Sequence, residues 1–73
     1  MSSSNEPIDI VVNGEVRAAE RGATVEAFLL DHDLNPDLVV VERNGEILPR
    51  ERYGDTRLRS EDRLEIVHFV GGG

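Results

Sequence analysis

The sequence predicts an α+β domain in which a mixed sheet of four to five strands is crossed by one helix. Three observations carry this reading. Two Asn-Gly dipeptides, Asn13-Gly14 and Asn44-Gly45, each sit between segments with strand character; a single stretch, beginning at Thr24, has helical spacing; and Leu64 to Phe69 alternates as a final strand. At 73 residues the chain has room for one core, in the size range where roughly 60% of the unfolded surface is buried.

Residues 1–7 are small and polar, lack periodicity, and read as a disordered lead-in. In the first strand Ile8, Ile10 and Val12 share one face. Asn13-Gly14 tolerates the positive φ angles of a two-residue hairpin turn, so Glu15 to Ala18 returns as the second strand. Arg21-Gly22-Ala23 then turns the chain. Thr24 is suited to cap a helix whose Val25, Phe28, Leu29 and His32 form one face, with Glu26 placed favourably for the helix dipole. Asn35-Pro36 requires that helix to have ended, because the residue before proline is pushed out of the helical region, and the helix is expected over residues 24–33.

Leu38 to Arg43 is β-branched and forms the third strand, and Glu46 to Leu48 the short fourth, closed by Pro49. Residues 50–63 read as an irregular connection or a single helical turn, anchored by Tyr53 and Leu58. In the last strand Leu64 and Ile66 face inward and Val67 and Phe69 outward. Helix on one face, last strand central and parallel to the first: this order is the ubiquitin-like β-grasp, expected over residues 8–69 and followed by a flexible glycine tail at 70–73. The two Asn-Gly-Glu turns are read as convergent turn chemistry, not as a repeat.

Composition bounds the function. No cysteine is present, which excludes disulfides and thiolate metal sites. No apolar run approaches the ~20 residues of a membrane span, and the first residues lack the features of a signal peptide. A formal charge of -7 argues against nucleic acid and anionic membranes and for partners with basic docking surfaces. All eight basic residues are arginine. A chain this small offers no deep pocket of ~300 Å³ or more, so a self-contained enzyme is not expected, and neither is a bound cofactor or metal. The simplest state is a cytoplasmic monomer that works through partners.

The chain ends on Gly71-Gly72-Gly73, residues that gain nothing by packing and lose the most backbone freedom on ordering. A bare glycine tail fits a channel too narrow for side chains and presents the carboxylate of Gly73 to a reagent inside another protein. A carboxylate is a poor acyl donor, so it needs activation, most simply as an anhydride with AMP. An end that merely frays satisfies the same composition. Val67 and Phe69 on the open face suggest a docking patch leading to the tail, with Phe69 folded over the core edge as the alternative. His68 falls on the inward face by alternation and is expected to be packed, not catalytic.

The segments Val41-Glu42-Arg43-Asn44-Gly45-Glu46-Ile47, Pro49-Arg50-Glu51-Arg52-Tyr53 and Glu65-Ile66-Val67-His68-Phe69-Val70-Gly71-Gly72-Gly73 resemble the ThiS family of thiamine-biosynthesis sulfur carriers, and the likeness runs from Ile8 onward. One departure is Glu61-Asp62, where many members of the family have Gly-Asp. The resemblance implies that a ThiF-like adenylyltransferase uses ATP to adenylate Gly73. Sulfur from a cysteine desulfurase or similar donor then displaces AMP and leaves a thiocarboxylate, which a ThiG-like thiazole synthase consumes. It makes Gly71 and Gly72 the slender reach and Val67, Phe69 and Val70 the docking residues, and gives Arg50 and Tyr53 a structural role, with a place on the partner surface as the alternative. The chain is then a protein co-substrate, without catalytic residues of its own. Three other readings share the tail: a MoaD-like carrier for molybdopterin or another thiolation pathway, a ubiquitin-like protein modifier, and a passive interaction module.

Overall fold

A computed structural model describes residues 6–68. Five strands form one mixed sheet in the order β2-β1-β5-β3-β4: β1 (Ile8–Val12), β2 (Glu15–Ala19), β3 (Val39–Arg43), β4 (Glu46–Leu48) and β5 (Arg63–His68). The last strand is central, parallel to β1 and antiparallel to β3. One helix, α1 (Val25–Asp31), packs on one face of it. The expected architecture is therefore observed, with five strands.

Each hairpin follows from its dipeptide. Asn13 and Gly14 have φ of 50° and 85°, Asn44 and Gly45 53° and 88°, the left-handed pair that matches the twist of the flanking strands. Alternation then decides the core. Ile10, Val25, Leu29, Val39, Val41 and Leu64 are wholly buried, each contributing roughly 1.5–3 kcal/mol of burial.

The helix stops earlier than the proline rule requires. Asp33 adopts a left-handed φ of 62°, and the Leu34 and Asp33 amides donate to the carbonyls of Leu29 (2.8 Å) and Leu30 (3.1 Å). This pair of bonds is the Schellman termination, here without its usual glycine. His32 accordingly sits at the C-cap and is exposed, its ring 4.1 Å from that of Phe28 and its Nδ1 3.0 Å from the Phe28 carbonyl oxygen.

Of the two forms expected for residues 50–63, an irregular connection or a single helical turn, the structure has the turn, a 3₁₀ turn at Arg50–Arg52. Beyond it the carbonyls of Thr56 and Tyr53 accept from the Val25 (2.8 Å) and Glu26 (3.0 Å) amides, while Thr24 Oγ1 accepts from Ala27 N (3.1 Å). The first three amide groups of α1, which a helix cannot satisfy internally, thus all have partners. The buried Tyr53 hydroxyl donates to the Val39 carbonyl (3.1 Å), and Arg50 Nε donates to that of Pro36 (3.3 Å). Both residues brace the connection, in line with the structural roles expected of them.

Candidate functional site

β5 is the last described element before the glycines in sequence, so the site begins with what holds this strand. Along β3 it is registered from Leu64–His68 against Val39–Arg43, but β1 runs beside it only at Val11↔Arg63 and Val12↔Leu64. The two hairpin asparagines extend its support. Asn13 N donates to the Leu64 carbonyl (2.9 Å), its Oδ1 accepts from Ile66 N (2.8 Å) and its Nδ2 donates to the Ile66 carbonyl (3.2 Å). At the other end of the strand, Asn44 N donates to the Arg63 carbonyl (2.8 Å) and Asn44 Oδ1 accepts from Arg63 N (2.9 Å).

Asn44 also reaches a buried carboxylate. Asp62 is 6% exposed, and accepts from Arg59 N (2.8 Å), Asn44 Nδ2 (3.2 Å) and Arg43 Nε (3.2 Å). Burial pushes its carboxyl up, but the bonds from Arg59, Asn44 and Arg43, with the Arg43 charge, outweigh that and hold it below the ordinary carboxylate range. Before it, Glu61 takes a left-handed φ of 72°, the conformation that glycine adopts without strain. Glutamate at this position has therefore not removed the turn; it occupies it under strain.

The sheet's open face carries Val40, Val67 and Ile47 by register, with Val67 and Ile47 each 61% exposed. Among them Glu42 and Glu65 stand directly opposite one another, an arrangement that like charge makes unfavourable in the free protein. Lower on the same face is an open depression of about 370 Å³ lined by Asp9, Ile10, Val11, Val16, Glu61 and Arg63. It exceeds the volume expected of so small a chain, because the outward side of β1 and β2 is uncovered, but it is shallow.

Of the expected docking residues, Val67 is on the open face as anticipated. Phe69, Val70, Gly71, Gly72 and Gly73 lie outside the described residues. His68, expected to be packed on the inward face, is exposed, because the core ends one inward rung earlier, with Ile66 partly buried against it. Sequence reasoning missed the side-chain roles of Asn13, Asn44 and Asp62. Among the described residues no group of three or more acidic or histidine side chains could hold a metal ion, and no helix is long and apolar enough to cross a membrane.

The family model of the ThiS family matches residues 10–73. The chain belongs to the ThiS family. It is 43% identical over 63 residues to the sulfur carrier protein ThiS of Bacillus subtilis, covering 85% of this chain and 96% of that one. It is also 44% identical over 64 residues to the thiazole synthase of Magnetococcus marinus, covering 88% of this chain but spanning only 20% of that longer protein. The same 20% share holds for the thiazole synthase of Paramagnetospirillum magneticum. Among solved structures, the thiamine biosynthesis protein ThiS of Geobacter metallireducens superposes with a TM-score of 0.77 at 30% identity, over 90% of this chain and 100% of that one. A ThiS-type chain is thus recognisable both by fold and by a match that continues through the three glycines.

Proposed function

We propose that this chain is a cytoplasmic sulfur carrier of thiamine biosynthesis, with the carboxylate of Gly73 as the group that carries sulfur. The observation that supports this most is the near full-length likeness to a protein named as the sulfur carrier ThiS, together with a family match that runs to Gly73.

The chemistry follows from the carboxylate. A ThiF-like adenylyltransferase binds the carrier and directs a Gly73 oxygen to the α-phosphorus of ATP, giving the acyl adenylate and releasing pyrophosphate. Sulfide, or the terminal sulfur of a persulfide, attacks the acyl carbon and expels AMP. If a persulfide attacks, the product is an acyl disulfide. A second thiol then takes the outer sulfur into a new disulfide and frees the thiocarboxylate. Gly71 and Gly72 let the tail enter a narrow channel, since no Cβ widens it. The carrier itself supplies recognition: Val67, Phe69 and Val70 lead to the tail, and the Glu42–Glu65 pair loses its mutual repulsion against a basic partner surface. Such a carrier needs no cofactor of its own; ATP is consumed by the partner.

A ThiG-like thiazole synthase is the proposed acceptor. The thiazole synthases of Magnetococcus marinus and Paramagnetospirillum magneticum that match this chain over a fifth of their length support that pairing.

The test is the intact mass of the protein before and after incubation with ATP, the adenylyltransferase and a sulfur source. Exchange of one oxygen for sulfur adds about 16 Da, assigned to Gly73 by fragmentation so that it is not confused with Met1 sulfoxide. A Gly72→Phe variant is expected to fold normally and stay unmodified. Full modification of that variant would overturn the proposal.

A further inference from the structure

We infer that Asn13 is a positioning residue for the tail: its side-chain amide replaces the strand neighbour that β5 lacks at Ile66 and so holds in place the end of β5 that precedes the tail. The inference rests on the carrier reading above.

The geometry is specific to a carboxamide. β1 ends at Val12 beside Leu64, and the chain then turns away at Asn13-Gly14 while β5 continues to His68. Two residues beyond Leu64 along β5, Ile66 presents both an N–H and a C=O on that side. Asn13 Oδ1 accepts from the first at 2.8 Å and Nδ2 donates to the second at 3.2 Å. A complete ladder rung is thus made by one side chain, and the two partners settle which amide atom is oxygen. A carboxylate offers only acceptors, and a hydroxyl would have to serve both Ile66 groups from a single atom, whereas the carboxamide holds its acceptor and donor on separate atoms.

Satisfying buried polar groups is not the reason for it. Asn13 is exposed, and water could serve Ile66 equally well. What the rung changes is order. Because the Ile66 N–H and C=O are directed toward Asn13, its pair with Val41 is the non-hydrogen-bonded kind, and β3 holds the strand through Glu65↔Glu42 and Val67↔Val40. With the rung, β5 is gripped on both sides up to Ile66. Without it, Ile66–His68 hang from β3 alone, as an edge strand does, and the root of the tail, with Val67 beside it, can peel from the sheet.

The test compares Asn13→Gly, which keeps a residue at ease with positive φ and deletes the rung, with Thr24→Ala, which weakens the helix cap and leaves β5 untouched. Both are assayed for adenylation by the cognate adenylyltransferase well below their melting temperatures. Asn13→Gly is expected to raise the KM for the carrier about five- to tenfold with kcat nearly unchanged, as loss of binding alone would do. Its Ile66 and Val67 amides should exchange with solvent at least ~10-fold faster while the Glu65 amide holds. Asn13→Asp, which sets a second oxygen against the Ile66 carbonyl, should raise KM as well. An unchanged KM in Asn13→Gly, or an equal rise in Thr24→Ala, overturns the inference and leaves the carrier reading standing. Failure of the unmodified chain to be adenylated overturns both.

Discussion

The two hairpins are built on the same three residues, Asn-Gly-Glu, turn with nearly the same φ angles, and flank the same strand from opposite sides. They nonetheless do different work. Asn44 grips the start of β5 and is tied through Asp62 into a half-buried network with Arg43. Asn13 grips the strand further along, at Ile66, from an exposed position, and among the described residues no carboxylate bonds to its side chain. Identical turn chemistry thus supplies an anchor at one end of the strand and a guide at the other. The lesson is that a turn's dihedral angles and its side chain's partners are separate properties.

The difference can be broken most forcefully at Asp62. Asp62→Ala strands the Arg43 guanidinium, the Arg59 amide and the Asn44 amide together, and is expected to cost about 2–4 kcal/mol in urea unfolding. The same carboxylate sets an acid dependence. Its folded pKa is depressed, so its contribution is fully present above the unfolded value of about 3.9 and is lost as pH falls through the folded value. Asp62→Asn should flatten that acid limb.

Next comes the pair Asn44→Gly and Asn13→Gly, which treats both turns alike. Losing Asn44 should destabilise by about 1 kcal/mol, with smaller change at Asn13, because only the former opens a partly buried network. Adenylation should show the reverse order. The smallest expected effect is favourable: Glu61→Gly relieves a left-handed backbone and should stabilise by about 0.5–1 kcal/mol in the same titration. A loss of stability there would mean that the Glu61 side chain has a partner that offsets its strain.

The sheet was legible because its signals are local. Alternation named Ile8, Ile10, Leu64 and Ile66, and the Asn-Gly pairs located both turns. What was hidden depends on distance along the chain or on a residue acting against its preference. Asn13 meets Ile66 across 53 positions, so no local window reveals the rung. Asp33 and Glu61 take left-handed angles without a glycine to announce them, which is why the helix end was placed too late. In the connection at 50–63 the sequence shows a helical turn and two anchors but not the main task, capping α1 with the Tyr53 and Thr56 carbonyls, because backbone atoms that any residue carries perform it.

The placing of β5 in the middle of the sheet has a consequence for synthesis. Each hairpin can close as soon as its own residues are made, but β1 and β3 share no neighbour until Arg63–His68 arrives. Pairings of such long separation are slow to form, since loop closure precedes any gain from contact. On a ribosome the nascent chain therefore cannot join its two hairpins into one sheet until Arg63–His68 emerges. A chain cut short before Arg63 lacks the strand that joins the two hairpins and should be cleared by proteases.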